Sequence, residues 1–205
     1  MSETPDNTPV PPTQPPMPPA YAASTPAYAA TTPVVVAPSA LMLSGALLIV
    51  AFVAHLFAYF STSLGLAVAA GIIEAASLIG AYVGFLRAGF PSKSGAARGL
   101  SVVLIALYVV SGFMSTLIGM GSLTADMIGL LVALGFAILI AGVAFGIVSL
   151  LTKGLPERLK GIPLTMYVLV FVLGLLNPAF SGGGYLVAGI MYLIFSRSGS
   201  KTAAV

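Results

Sequence analysis

The chain has 205 residues, of which 59% are hydrophobic and 6% charged, with no cysteine, one histidine and a net charge of +3. A soluble domain carries about 25% charged residues and about 45–50% apolar ones, so these values exclude a soluble globular protein. They also exclude a disulfide-stapled fold and cysteine-ligated metal sites, and five acidic residues leave little for other metal or acid–base chemistry.

Residues 1–40 differ from the rest. They hold eleven of the fifteen prolines and no basic residue, the first being Arg87. The run Pro11–Pro19 lacks the amide donors a helix needs and is expected to be extended polyproline II. A tandem heptad follows, Pro-Ala-Tyr-Ala-Ala-Ser-Thr (19–25) and Pro-Ala-Tyr-Ala-Ala-Thr-Thr (26–32). Two copies are too short for a solenoid. The segment is expected to be a disordered, Pro/Ala/Thr-rich cytoplasmic tail that could dock a protein partner. It is not expected to be a signal peptide, because it lacks a basic n-region and the first long apolar run begins near Leu41.

A hydrocarbon core of about 30 Å takes about 20 apolar residues in a helix. Spans are predicted near 41–60, 64–86, 100–120 and 126–151. The last apolar region, 163–196, is too long for one span and is interrupted by Asn177-Pro178 and by Gly182, Gly183 and Gly184. It reads as two short spans, near 163–178 and 184–196, or as a re-entrant hairpin. The expected fold is therefore all-α, a polytopic transmembrane helical bundle of about six spans in three hairpins. A short basic tail, 197–205, closes the chain.

Arg87, Lys93 and Arg98 fall between spans two and three. Lys153, Arg158 and Lys160 fall between four and five, and Arg197 and Lys201 follow six. All eight lie on one side of the membrane if both termini are cytoplasmic, as the positive-inside rule requires. No long basic run with interleaved aromatics exists, so nucleic acid is not an expected partner.

In lipid, rows of small residues let helices approach. Span two has Ala76, Gly80, Gly84 and Ala88 at four-residue spacing, and span four has Gly142 and Gly146. These predict close contacts, either within one subunit or in a homo-oligomer. Tyr59, Tyr82, Tyr108 and Tyr185 are read as an interfacial aromatic belt.

Ionisable groups inside spans are costly and mark function by default. Three qualify: His55, Glu74 and Asp126. His55 and Glu74 lie roughly 8 and 14 Å from the same surface, at 1.5 Å per residue. They sit on helices joined by a tight turn, so a contact between them, able to relay protons or sense pH, is plausible. Asp126 begins span four, where the helix dipole favours a negative charge. The break at 177–184 is either a surface turn or, at membrane depth, a permeation or binding site.

HExxH, Walker A and GxSxG motifs are absent, and neither a cofactor nor a metal is implied. The layout, a Pro-rich tail ahead of an Ala/Gly-rich bundle, resembles that of many small prokaryotic membrane proteins in composition only. That resemblance implies a multi-pass protein of a prokaryotic cell membrane. The leading expectation is a non-enzymatic accessory or interaction subunit of a larger membrane complex. The alternative is a small channel or proton-coupled transporter using His55 and Glu74.

Overall fold

The computed structural model describes residues 36–121 and 124–201, apart from the side chains of residues 125, 126 and 198–201. The Pro-rich tail up to residue 35 thus lies outside the described residues. Among those described, every regular element is helical: α1 Pro38–Phe60, α2 Leu64–Ala88, α3 Gly95–Gly119, α4 Ala125–Leu151, the single turn α5 Glu157–Lys160, α6 Ile162–Leu176 and α7 Gly183–Lys201. A 3-10 turn, Pro178–Phe180, joins α6 to α7. Six segments are long and apolar enough to cross a bilayer, with α5 and α6 together forming the fifth. The chain is a multi-pass membrane protein.

Apolarity does not say which face of such a helix points inward, because lipid accepts apolar side chains on every side. Large apolar residues accordingly stay exposed all around the bundle, among them Phe57, Phe113, Phe136 and Leu176. Inward faces are marked instead by small, polar and aromatic residues at helical spacing. On α1 the buried stripe is Leu41, Ser44, Leu48 and Ala51, and one turn further on it reaches His55. On α2 it runs Leu78, Ala81, Tyr82 and Phe85, and on α3 Ser101, Leu104 and Tyr108.

Each helix packs on its neighbour in sequence, α1 on α2, α2 on α3, α3 on α4, α4 on α6 and α6 on α7, and α7 returns to α1. The six spans thus close into a ring. Glycines set the closest approaches. Gly45 of α1 and Gly189 of α7 face each other, and a Cβ on either would fall 2.7–2.8 Å from the other's carbonyl oxygen. This contact closes the ring. A Cβ on Gly146 would fall 2.6 Å from Leu164 Cα, and one on Gly142 would enter the Tyr167 ring, so both glycines serve the α4–α6 contact. Gly80 and Gly84 lie against Leu47 and Ser44 of α1. These contacts are all within one subunit. Ala88 is buried, but Ala76 is exposed and does not belong to the packed row. Four-residue spacing drifts by about 40° per step on a helix of 3.6 residues per turn, so three steps carry Ala76 off the face that Ala88 shares.

The tyrosines depart further from expectation. Tyr59 is half exposed, as a belt residue would be, but Tyr82, Tyr108 and Tyr185 are buried in the ring. The Tyr82 and Tyr167 hydroxyls share a short hydrogen bond, and Tyr108 lies 3.3 Å from Tyr167. Below them Phe85, Phe90, Phe145 and Tyr192 pack ring on ring, with centroids 5.0–6.3 Å apart. A tyrosine hydroxyl in a dry interior needs a partner, and three helices supply one another's. This aromatic plug closes the end of the ring where α5 and the basic loops lie.

Because Gly146 faces backbone rather than a flexible side chain, Gly146→Ala should cost about 1–3 kcal/mol by forcing α4 from α6. Ala76→Leu, on an exposed face, should change stability by less than about 0.5 kcal/mol. Denaturation in detergent distinguishes the two, and equal losses would contradict the assignment of these faces.

Candidate functional site

The three segments that carry polar groups into the bundle meet at one point. His55 projects from α1 about five residues, or roughly 8 Å, before the helix ends. Glu74 projects from α2, ten residues after its start at Leu64. The third segment is the α6–α7 connection. Its backbone is shaped locally: Asn177 Oδ1 accepts the Ala179 N–H at 2.9 Å, and Pro178 begins the 3-10 turn.

The imidazole joins all three. His55 Nδ1 lies 3.1 and 3.3 Å from the two Glu74 carboxylate oxygens. His55 Nε2 lies 3.1 Å from the Pro178 carbonyl oxygen and 3.0 Å from Ser181 Oγ. The Ser181 hydroxyl also reaches the Pro178 carbonyl, at 2.8 Å. The two side chains are 21% and 20% exposed, so the pair is neither sealed nor open.

The break at 177–182 lies against His55. With α5, α6 makes up the fifth span, Glu157–Leu176, whose 20 residues reach about 30 Å before the break. The Pro178 carbonyl accepts from the Ser181 N–H at 3.2 Å as well as facing the imidazole. Gly182 makes the approach possible, since a Cβ there would sit 2.9 Å from His55 Cδ2. Gly183 and Gly184 act on the helix contact instead. A Cβ on Gly184 would press on Val170, and one on Gly183 on Leu173, so both let α7 start tight against α6.

The imidazole can hold these partners in more than one protonation state. The Pro178 carbonyl and an ionised Glu74 only accept hydrogen bonds, so a doubly protonated imidazole donates to both. With the Nδ1 proton removed, Nε2–H still donates to Pro178, but Nδ1 and an ionised Glu74 are then two acceptors and their bond is lost. With the remaining proton on Nδ1, the bond to Glu74 stays and the Ser181 hydroxyl turns from Pro178 to donate to Nε2. In this tautomer the imidazole keeps a partner on each nitrogen through a change of one proton, which is what a relay or exchange site needs.

Glu74 also borders two spaces. A cavity of about 330 Å³ lies at the mouth of the ring, lined by His55, Tyr59, Val68, Gly71, Glu74 and Ser115. A second, of about 250 Å³, lies further in, among Glu74, Leu78, Tyr108, Ser111, Ile138 and Tyr185. Gly71, Glu74 and Ser115 line both. They form the boundary between mouth and interior, and a Cβ on Gly71 would stand 3.4 Å from Ser115 Oγ.

The structure thus brings together His55, Glu74, Pro178 and Gly182. Asp126 lies in the first turn of α4, and its side chain is outside the described residues. Among the described residues no group of three or more His, Cys, Asp or Glu could hold a metal ion. Sequence reasoning missed Ser181, Tyr108 and Tyr185 as site residues. Ser181 stands inside the helix break, which was a usable signal. The tyrosines carried none, because a tyrosine in an apolar span can serve either the lipid interface or a hydrogen-bonded interior.

With a single histidine in the chain, its ring nitrogens give one set of ¹⁵N signals. Glu74→Gln should move the Nδ1 resonance and leave Nε2 nearly in place, while Gly182→Ala should move both. An Nδ1 signal indifferent to Glu74→Gln would disprove the pairing.

Comparison with protein families, with curated proteins and with solved structures gives no match to this chain, so its own geometry is the basis for assigning the site.

Proposed function

We propose that the protein is a small proton-coupled membrane transporter in which His55 and Glu74 form the protonation site. The observation that carries this is a histidine–carboxylate pair standing at the boundary between the open mouth and the inner cavity of a six-helix ring. Ionisable pairs facing a cavity inside a membrane mark ion and proton pathways. The aromatic plug beneath the inner cavity supports a state that is open at one end and shut at the other, as alternating access requires.

Charge supports placing the basic loops in the cytoplasm, with both termini, and the composition of tail and bundle is the basis for placing them in a prokaryotic cell membrane. The site then opens to the outside. The accessory-subunit expectation keeps its basis in the Pro-rich tail, outside the described residues.

Proteoliposomes holding the purified chain and a pH-sensitive dye test the proposal. With candidate solutes supplied as co-substrate, an imposed pH gradient should collapse faster than in empty vesicles. Glu74→Gln and His55→Gln should each slow that flux by about 100-fold, the scale of a positioned proton-transfer group, while remaining monodisperse. Flux unchanged in both variants would overturn it, and a partner co-purifying with an inert chain would point to the accessory role. Orientation has its own check, since the wild type has no cysteine. Ser61→Cys should react with an impermeant maleimide in intact cells, and Lys93→Cys only after permeabilisation. The reverse pattern would invert the topology.

A further inference from the structure

The inner cavity has a definite chemistry. Among the described residues its one ionisable acid is Glu74 on α2, and no Lys, Arg or His lines it. The other polar groups are the hydroxyls of Tyr108, Ser111, Ser115 and Tyr185. Hydroxyl hydrogens here are partly committed elsewhere: Ser115 donates to the Ser111 carbonyl at 3.0 Å, and the Tyr108 hydroxyl is 3.3 Å from that of Tyr167. Oxygen lone pairs therefore outnumber free donors, and with a carboxylate added the cavity repels anions. It is also unlike a bare-metal site. A hard cation wants about six or more oxygens converging at roughly 2.0–2.6 Å, whereas Ala75, Leu78, Ile138 and Val170 make most of the remaining wall. Apolar walls, two aromatic residues and one carboxylate suit an organic cation, whose charge meets the carboxylate and whose alkyl groups meet the rest. The volume of about 250 Å³ is several times the ~30 Å³ share of one water, enough for a compact alkylammonium ion.

Resting on the transporter proposal, we infer that this cavity binds a small organic monocation, which competes with the protonated His55 for the Glu74 carboxylate. That carboxylate faces both ways: its oxygens lie 3.1 and 3.3 Å from His55 Nδ1, and it lines the cavity. A cation on the cavity side places a second positive charge beside the imidazolium, and like charges on one carboxylate disfavour each other. The imidazole gives one proton to water in the mouth and remains as the Nδ1–H tautomer, with the Ser181 hydroxyl donating to Nε2. One cation enters and one proton leaves, which couples the two as an exchange. The groups facing Glu74 are His55 from α1, Ser115 and Tyr108 from α3 and Tyr185 from α7. α4 and α6 present only Gly135, Ile138 and Val170, so His55 is the one base in the exchange among the described residues.

Tetramethylammonium is a suitable probe because it carries a permanent charge and no exchangeable proton. Calorimetry on the purified full chain in detergent, in buffers of different ionisation enthalpy, reads affinity and protons released together. Across a pH series, binding should release up to one proton per cation, and affinity should fall as pH is lowered, by up to about tenfold per unit. Glu74→Gln should abolish binding. His55→Gln should retain it, with the proton release lost. Binding that survives Glu74→Gln, binding without proton release, or no binding by a folded wild type would each overturn the exchange. The proton flux of the wild-type proteoliposomes is read separately. Flux without cation binding defeats this inference alone, and cation binding without flux defeats the transporter proposal alone.

Discussion

A carboxylate halfway along a membrane helix must be met by partners that its own helix does not supply. Glu74 is such a group, and His55 meets it. The imidazole has two nitrogens at opposite edges, so satisfying Glu74 with one leaves the other to be satisfied. The Pro178 carbonyl and the Ser181 hydroxyl do this. An acid, a base and a polar turn thus satisfy one another. The cost of leaving the two ionisable groups without partners in hydrocarbon, several kcal/mol, holds α1, α2 and the α6–α7 turn in one place.

That junction needs its helices at the right separation, and glycine provides it. Gly182 lets the turn reach the imidazole, and Gly45 against Gly189 lets α7 reach α1. Between lipid-bathed helices the gain from close approach is van der Waals contact rather than escape from water, so a methyl group in the wrong place removes the gain outright. The aromatic plug complements this. Where glycine brings backbones together, the large rings of Phe85, Phe145 and Tyr192 fill the space that opens between helices toward the basic end. The ring is therefore narrow and dense at one end and hollow with a polar wall at the other.

How much of this could be read beforehand differs by residue. His55 and Glu74 stand out because ionisable residues are rare in apolar spans, and their similar depth follows from counting residues in two helices joined by a short turn. Gly142 and Gly146 stand out as four-spaced small residues. Ala76 belongs to the same pattern as Gly84 and yet is exposed, because spacing records neighbours along a helix and not which side meets another helix. Tyr108 and Tyr185 were unreadable for a related reason: a tyrosine tolerates both the lipid interface and a hydrogen-bonded interior, and only a neighbouring hydroxyl decides. The glycines at 182–184 signal a break, but that it meets His55 is not recorded in the local sequence.

A composition of 59% hydrophobic and 6% charged residues, with its distribution along the chain, by itself determined a membrane protein, its first four spans and the sorting of its basic residues to one end. Those properties depend on length and transfer free energy, which are sums over local sequence. Closure of the ring by α7 on α1, the inward turn of three tyrosines, and the meeting of His55 with Ser181, 126 residues away, were decided only by the tertiary structure. An apolar helix in lipid has no intrinsic inside, and its faces acquire one only when another helix comes close enough to exclude the lipid.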